Sequence, residues 1–138
     1  MASKKTWVEK RDCAKIPHVT VIEKTFAGVP AGSKLLISSP IEIDQFIRSI
    51  PKGNKIEPSV MRQTLALRHG ADATCPVSTG IFLRIVTEAA IEEYNNGNNL
   101  NDISPFWRIV DLNSALAKKL SISSNEFETI IKLAGEWA

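Results

Sequence analysis

Proline and glycine divide the middle of this chain into three helices. After Pro40, the residues Ile43, Phe46, Ile47 and Ile50 recur at the spacing of a helix with one buried face. Pro51-Lys52-Gly53-Asn54 then stops that helix with turn residues. A second helix is expected over 58–69. Pro58 suits a first-turn position, where a missing N–H is harmless, and Gly70 suits the residue beyond the end. Its core side would carry Met61 and Leu65, with Ala66 or the aliphatic stem of Arg62. A third helix begins near Pro76 or Ser78 and runs to about Asn95, burying Ile81, Ile85 and Ala89, with Phe82 and Val86 as further core candidates. The polar loop Asn95-Asn96-Gly97-Asn98-Asn99 ends it.

The flanks are less regular. Residues 1–15 are polar and basic around Trp7 and Val8, an arm that is either a short helix or loosely held. His18 to Glu23 alternates as a strand does, and Lys34 to Ser38 is a second short apolar run, with Gly28, Pro30 and Gly32 between them. Past the asparagine loop, Phe106 to Val110 is aromatic and β-branched enough for a strand, with a turn of helix as the alternative. Leu112, Leu116 and Leu120 return to helical spacing. Ser123-x-x-Glu126 forms a capping box before a terminal helix that carries Phe127, Ile130, Ile131 and Ala134 and ends near Gly135. The expected class is α+β and helix-rich, with one small β element. At 138 residues the chain fits one compact domain, in which 1–40 form an arm with the β element and 41–138 the helical part.

Composition removes several function classes. A content of 43% hydrophobic and 23% charged residues is that of a globular protein, and no apolar run nears the roughly 18 residues of a membrane span. The first residues are basic with no apolar stretch behind them, unlike a secretory signal, so a cytoplasmic protein is expected. Cys13 and Cys75 then read as free thiols. With His18 and His69 they form the pairs Cys13-x4-His18 and His69-x5-Cys75, which lack the tight Cys-x2–4-Cys spacing of a zinc finger, so neither metal nor cofactor is expected. Between Arg48 and Arg84, six cations face only Glu57 and Asp72, whereas 85–104 carries acids alone. The cationic stretch is either a solvated face or a surface for phosphates.

One heptapeptide carries a resemblance. Ser104-Pro105-Phe106-Trp107-Arg108-Ile109-Val110 resembles the Pro-Cys-His-Arg-Val-Val active-site segment of the alkylguanine-DNA alkyltransferases. Ile50-Pro51-Lys52-Gly53 and the order of the three helices are similar to the C-terminal domain of that family over residues 41–138. The resemblance implies a winged-helix-like helix-turn-helix core whose third helix, opening here with Cys75-Pro76-Val77-Ser78-Thr79-Gly80, enters the minor groove of DNA. Two departures bear on activity. Alkyl transfer needs a thiolate and a base beside it, but Phe106 stands at the cysteine position and Trp107 at the histidine position. The family's duplex-inserting arginine has no counterpart before Arg84. The chain is therefore similar to the non-catalytic alkyltransferase-like proteins, which also carry an aromatic residue in place of the cysteine and hold damaged bases without repairing them.

This resemblance implies a DNA-binding protein without alkyl-transfer activity and duplex DNA as its partner. Arg62, Arg68, Ser78, Thr79 and Arg84 are its candidate contacts, with groups suited to backbone oxygens. Phe106, Trp107 and Arg108 are candidates for a pocket, because an aromatic face stacks on a base for about 1–3 kcal/mol. The alternative for the aromatic pair is core, and for Arg108 a buried carboxylate. Two other functions stay open. One is a thiol-dependent enzyme with Cys75 as nucleophile at a helix start and His69 or His18 as base, against which stands a buried structural thiol. The other is a protein-interaction module, whose mark would be an apolar patch over the third helix.

Overall fold

The computed structural model describes residues 5–136, and its turns fall at the proline and glycine signals. The elements are α1 (Trp7–Arg11), β1 (His18–Val21), β2 (Lys34–Ile37), α2 (Pro40–Ser49), α3 (Pro58–Arg68), β3 (Ala73–Thr74), α4 (Pro76–Asn95), a 3-10 turn (Phe106–Arg108), α5 (Ala115–Lys119) and α6 (Ser124–Leu133). The fold is α+β. Prolines open α2, α3 and α4, and Ser39 caps α2 by accepting from the Glu42 N–H. Gly70 takes φ +65° just past α3, as its place beyond a helix end requires. At the last helix the Ser123 and Glu126 capping box is formed in both directions.

β1 and β2 pair antiparallel, His18 opposite Ile37, and β3 adds to β2 in parallel with Ala73 opposite Leu35. Leu35 and Leu36 bring this sheet into the core. α4 is the central element, burying Phe82, Leu83, Val86, Ala89, Ala90 and Ile91, with α1 and α2 packed against it. Its acids serve as anchors. The Glu92 carboxylate accepts from the Trp7 and Val8 N–H groups, Glu93 accepts from buried Arg11 at 2.8 Å, and Glu88 accepts from the Ser121 N–H and hydroxyl. These bonds tie α1 and the loop after α5 to one helix.

Two expectations are corrected. Ala89, Phe82 and Val86 are buried as expected, but Ile81 is 56% exposed and Ile85 only half-buried, because the buried face of α4 is centred on Phe82, Leu83, Val86 and Ala90. Residues 81 and 82 lie about 100° apart on the helix, and periodicity alone cannot choose between them. The second correction is Phe106 to Val110, which forms no strand. Arg108 N–H donates to the Pro105 carbonyl at 3.0 Å and Ile109 N–H to the Phe106 carbonyl at 3.1 Å, so the segment's N–H groups are spent locally, while the Arg108 carbonyl accepts from Ile56 N–H at 2.8 Å. Among the described residues no strand follows α4, and no helix is long and apolar enough to cross a membrane.

Candidate functional site

Phe106 and Trp107 are core residues. Phe106 is 0% exposed and stands edge-to-face against both Trp107 and Phe127, each at 5.3 Å between ring centroids. Phe106 has no ring face open to a base, and Trp107, 2% exposed, meets only a small cavity on its other side.

Arg108 finds a buried carboxylate. Its Nε and Nη2 donate to the Oε1 and Oε2 of Glu136, both at 3.0 Å, while Nη1 donates to the Ile50 carbonyl at 2.7 Å. The Trp107 indole donates to the same carboxylate at 2.5 Å and the Gly53 N–H at 2.9 Å. One carboxylate, its side chain 1% exposed, thus joins the turn after α2, the 3-10 turn and the end of α6. Burial by itself would raise the Glu136 carboxyl, but Arg108, Gly53 and Trp107 outweigh it and hold the group below the ordinary carboxylate range. A small cavity of about 210 Å³, lined by Arg48, Lys52, Trp107 and Arg108, opens beside this network. Sequence reading missed Glu136, although a buried indole N–H next to a guanidinium demands an acceptor.

The five candidate DNA contacts lie on α3 and α4. Thr79 is 1% exposed and donates to the Cys75 carbonyl at 2.6 Å, which withdraws it from any phosphate. Arg84 packs over the Trp7 ring at 5.6 Å and donates to the Lys119 carbonyl at 3.3 Å. Arg68 lies over the Phe46 ring at 5.6 Å, on α3. Arg62 is half-buried on the same helix, near Thr74, and Ser78 is half-buried on the first turn of α4 with its hydroxyl oxygen unpartnered.

Cys75 is buried beside β2, its N–H on the Leu36 carbonyl at 2.9 Å. His69 Nε2 instead sits 2.6 Å from Glu42, which also accepts from Ser38 at 2.6 Å, and His18 lies on exposed β1. Among the described residues neither histidine is hydrogen-bonded to Cys75, and no three His, Cys, Asp or Glu side chains gather to hold a metal ion. A mild thiol reagent at neutral pH is accordingly expected to label half-buried Cys13 well before Cys75. Equal or faster labelling of Cys75 would restore the nucleophile reading.

The feature that stands open lies along α4. Val77 and Ile81 are 53% and 56% exposed, one turn apart on the outer side of the helix, with Gly80 leaving space between them and the opposite wall. Ile109, Val110 and Leu116 form that wall, and the groove encloses about 490 Å³. Ser114 caps α5 by accepting from the Ala117 N–H, which fixes the wall's position. Polar and charged groups on its edge are few: Arg84, which donates to the Lys119 carbonyl, Lys119 itself, Asp111 and Ser114. Asp111 is ion-paired with Lys55 at 3.1 Å. Sequence reading lost this groove when it placed Ile81 in the core. No family model, curated protein or solved structure matches the chain.

Proposed function

We propose that this chain is a binding module without chemistry of its own, which holds an apolar segment of a partner protein in the groove along α4. The observation that carries the reading is the exposure of Val77 and Ile81 beside a concave, mostly aliphatic wall. Aliphatic residues on the outside of a helix gain nothing by facing water, and a concave apolar surface ringed by a few polar groups is the common form of a binding site. An apolar patch over the third helix is also the mark that separates an interaction module from a DNA reader.

A second reading is duplex DNA recognition in the manner of alkyltransferase-like proteins, on a winged-helix-like core formed by α2, α3 and α4. Arg62, Arg68, Ser78 and Arg84 are its remaining contacts, and basic Arg84 and Lys119 at the groove rim favour it. Against it stand the sealed Thr79 and the burial of Phe106 and Trp107.

The test is methyl chemical-shift mapping with a 16-residue amphipathic helical peptide of leucine and glutamine. Shifts centred on Val77, Ile81 and Leu116 are expected. Ile81→Glu should abolish them and change stability by less than about 0.5 kcal/mol, since position 81 is exposed. Peptide binding untouched by Ile81→Glu would sink the groove reading. Salt-sensitive binding of a short duplex, with no response to the peptide, would transfer the function to DNA.

A further inference from the structure

The groove has a charged rim and an apolar floor, and together they specify an occupant more closely than the proposed function does. Arg84 and Lys119 stand at the same rim, and the acid lining the groove, Asp111, is ion-paired with Lys55. The rim is therefore left with excess positive charge. Arg84 donates through Nη2 to the Lys119 carbonyl in an exposed bond, which keeps its guanidinium beside the groove. A carboxylate is the acceptor that a guanidinium binds most strongly.

The floor limits the backbone of the occupant. Val77, Ile81, Ile109 and Val110 offer no hydrogen bonds from their side chains, and the groove lies between helices with no strand edge to pair an extended peptide. An extended segment would lay unmet N–H and C=O groups over aliphatic side chains, whereas a helix satisfies its own. Val77 to Arg84 is eight residues of helix, or roughly 10 Å of groove. That length takes two turns of a partner helix.

We infer that the groove binds an acidic amphipathic helix of a partner protein, with aliphatic side chains on Val77 and Ile81 and a carboxylate on Arg84. This rests on the groove reading above and adds the charge and conformation of the ligand. Trp7 stacks on Arg84, so α1 holds the guanidinium at the rim rather than free in solvent.

The experiment compares three peptides on the full chain: the neutral leucine and glutamine helix, the same helix with two glutamates in place of glutamines one turn beyond its apolar stripe, and the same with two lysines there. The glutamate form is expected to bind roughly tenfold tighter than the neutral one, and the lysine form more weakly than either. Arg84→Gln should erase the glutamate advantage, and Lys119→Gln should reduce it by part, which guards against a folding defect in the first variant. If all three peptides shift Val77 and Ile81 alike, the groove reading stands and the carboxylate inference falls. If none binds, both fall. A short DNA duplex that shifts the same methyls more strongly than the glutamate peptide would also overturn the inference in favour of phosphate.

Discussion

Arg108→Ala is expected to destabilise the fold by about 3–5 kcal/mol, which for a domain of this size lowers the melting temperature by roughly 10 °C or more. The argument rests on what remains rather than on what is removed. Glu136 would stay buried with the Trp107 and Gly53 donors but without its cation, and the Ile50 carbonyl would lose its partner as well. The pH dependence separates this cause from lost packing. In the wild type, the Glu136 carboxyl is held below its ordinary value of 4.5, so its stabilisation is complete above about pH 4.5 and is lost as pH falls through the lowered folded value. In the variant, burial acts without the cation and pushes the carboxyl upward, so protonation relieves the defect. Urea denaturation from pH 7 to pH 4 should show the gap between the two proteins narrowing on acidification. A gap that stays constant, or one below about 1 kcal/mol at pH 7, would mean that the pair contributes little.

The parts of the fold legible in the sequence are those whose causes are local. Pro58 and Gly70 bracket α3 because a missing N–H and a positive φ are properties of single residues. Ser123 and Glu126 mark α6 because a capping box closes within four residues. By contrast β3 is two residues, Ala73 and Thr74, and exists only because β2 lies beside it. The choice between Ile81 and Phe82 for the core depends on where α1 and α2 pack, which no window of the sequence contains. Phe106 to Val110 has strand-like residues but no neighbouring strand, and its Pro105 context yields a 3-10 turn instead.

The site was less legible than the fold for the same reason. Glu136 meets Arg108 across 28 residues, and nothing near Arg108 says which carboxylate it takes. The groove is assembled from the start of α4, from Ile109 and Val110, and from α5, three segments that are unremarkable one at a time. Arg108 could be foreseen as a partner for a carboxylate because a guanidinium on an apolar segment must be paired. Residue type alone could not foresee Thr79, since a threonine on a helix can bond back to the carbonyl one turn earlier, as Thr79 does to Cys75.

Placing the cysteine and histidine of the alkyltransferase segment in this chain, Phe106→Cys with Trp107→His, is expected to damage the fold without creating a reactive thiol. Phe106 is enclosed on all sides and holds Trp107 and Phe127 edge-to-face, so replacing its ring by a thiol leaves a cavity at a cost of about 3 kcal/mol or more. Trp107→His removes most of a second buried ring and detaches the donor on Glu136. The two positions touch, so their costs are not additive, yet together they consume much of the 5–15 kcal/mol typical of a domain. The double variant should melt far below the wild type. Where it remains folded at low temperature, the thiol introduced at 106 should resist a mild thiol reagent and take up no alkyl group from a duplex carrying an O-alkylated guanine. Rapid labelling, or a melting temperature close to the wild type, would show that position 106 faces a cavity after all and would return the aromatic pair to the binding site. The expected result has the opposite meaning for the heptapeptide. Phe106 and Trp107 complete a core that a cysteine and a histidine could not fill, while Ile109 and Val110, next in the same segment, line the groove along α4.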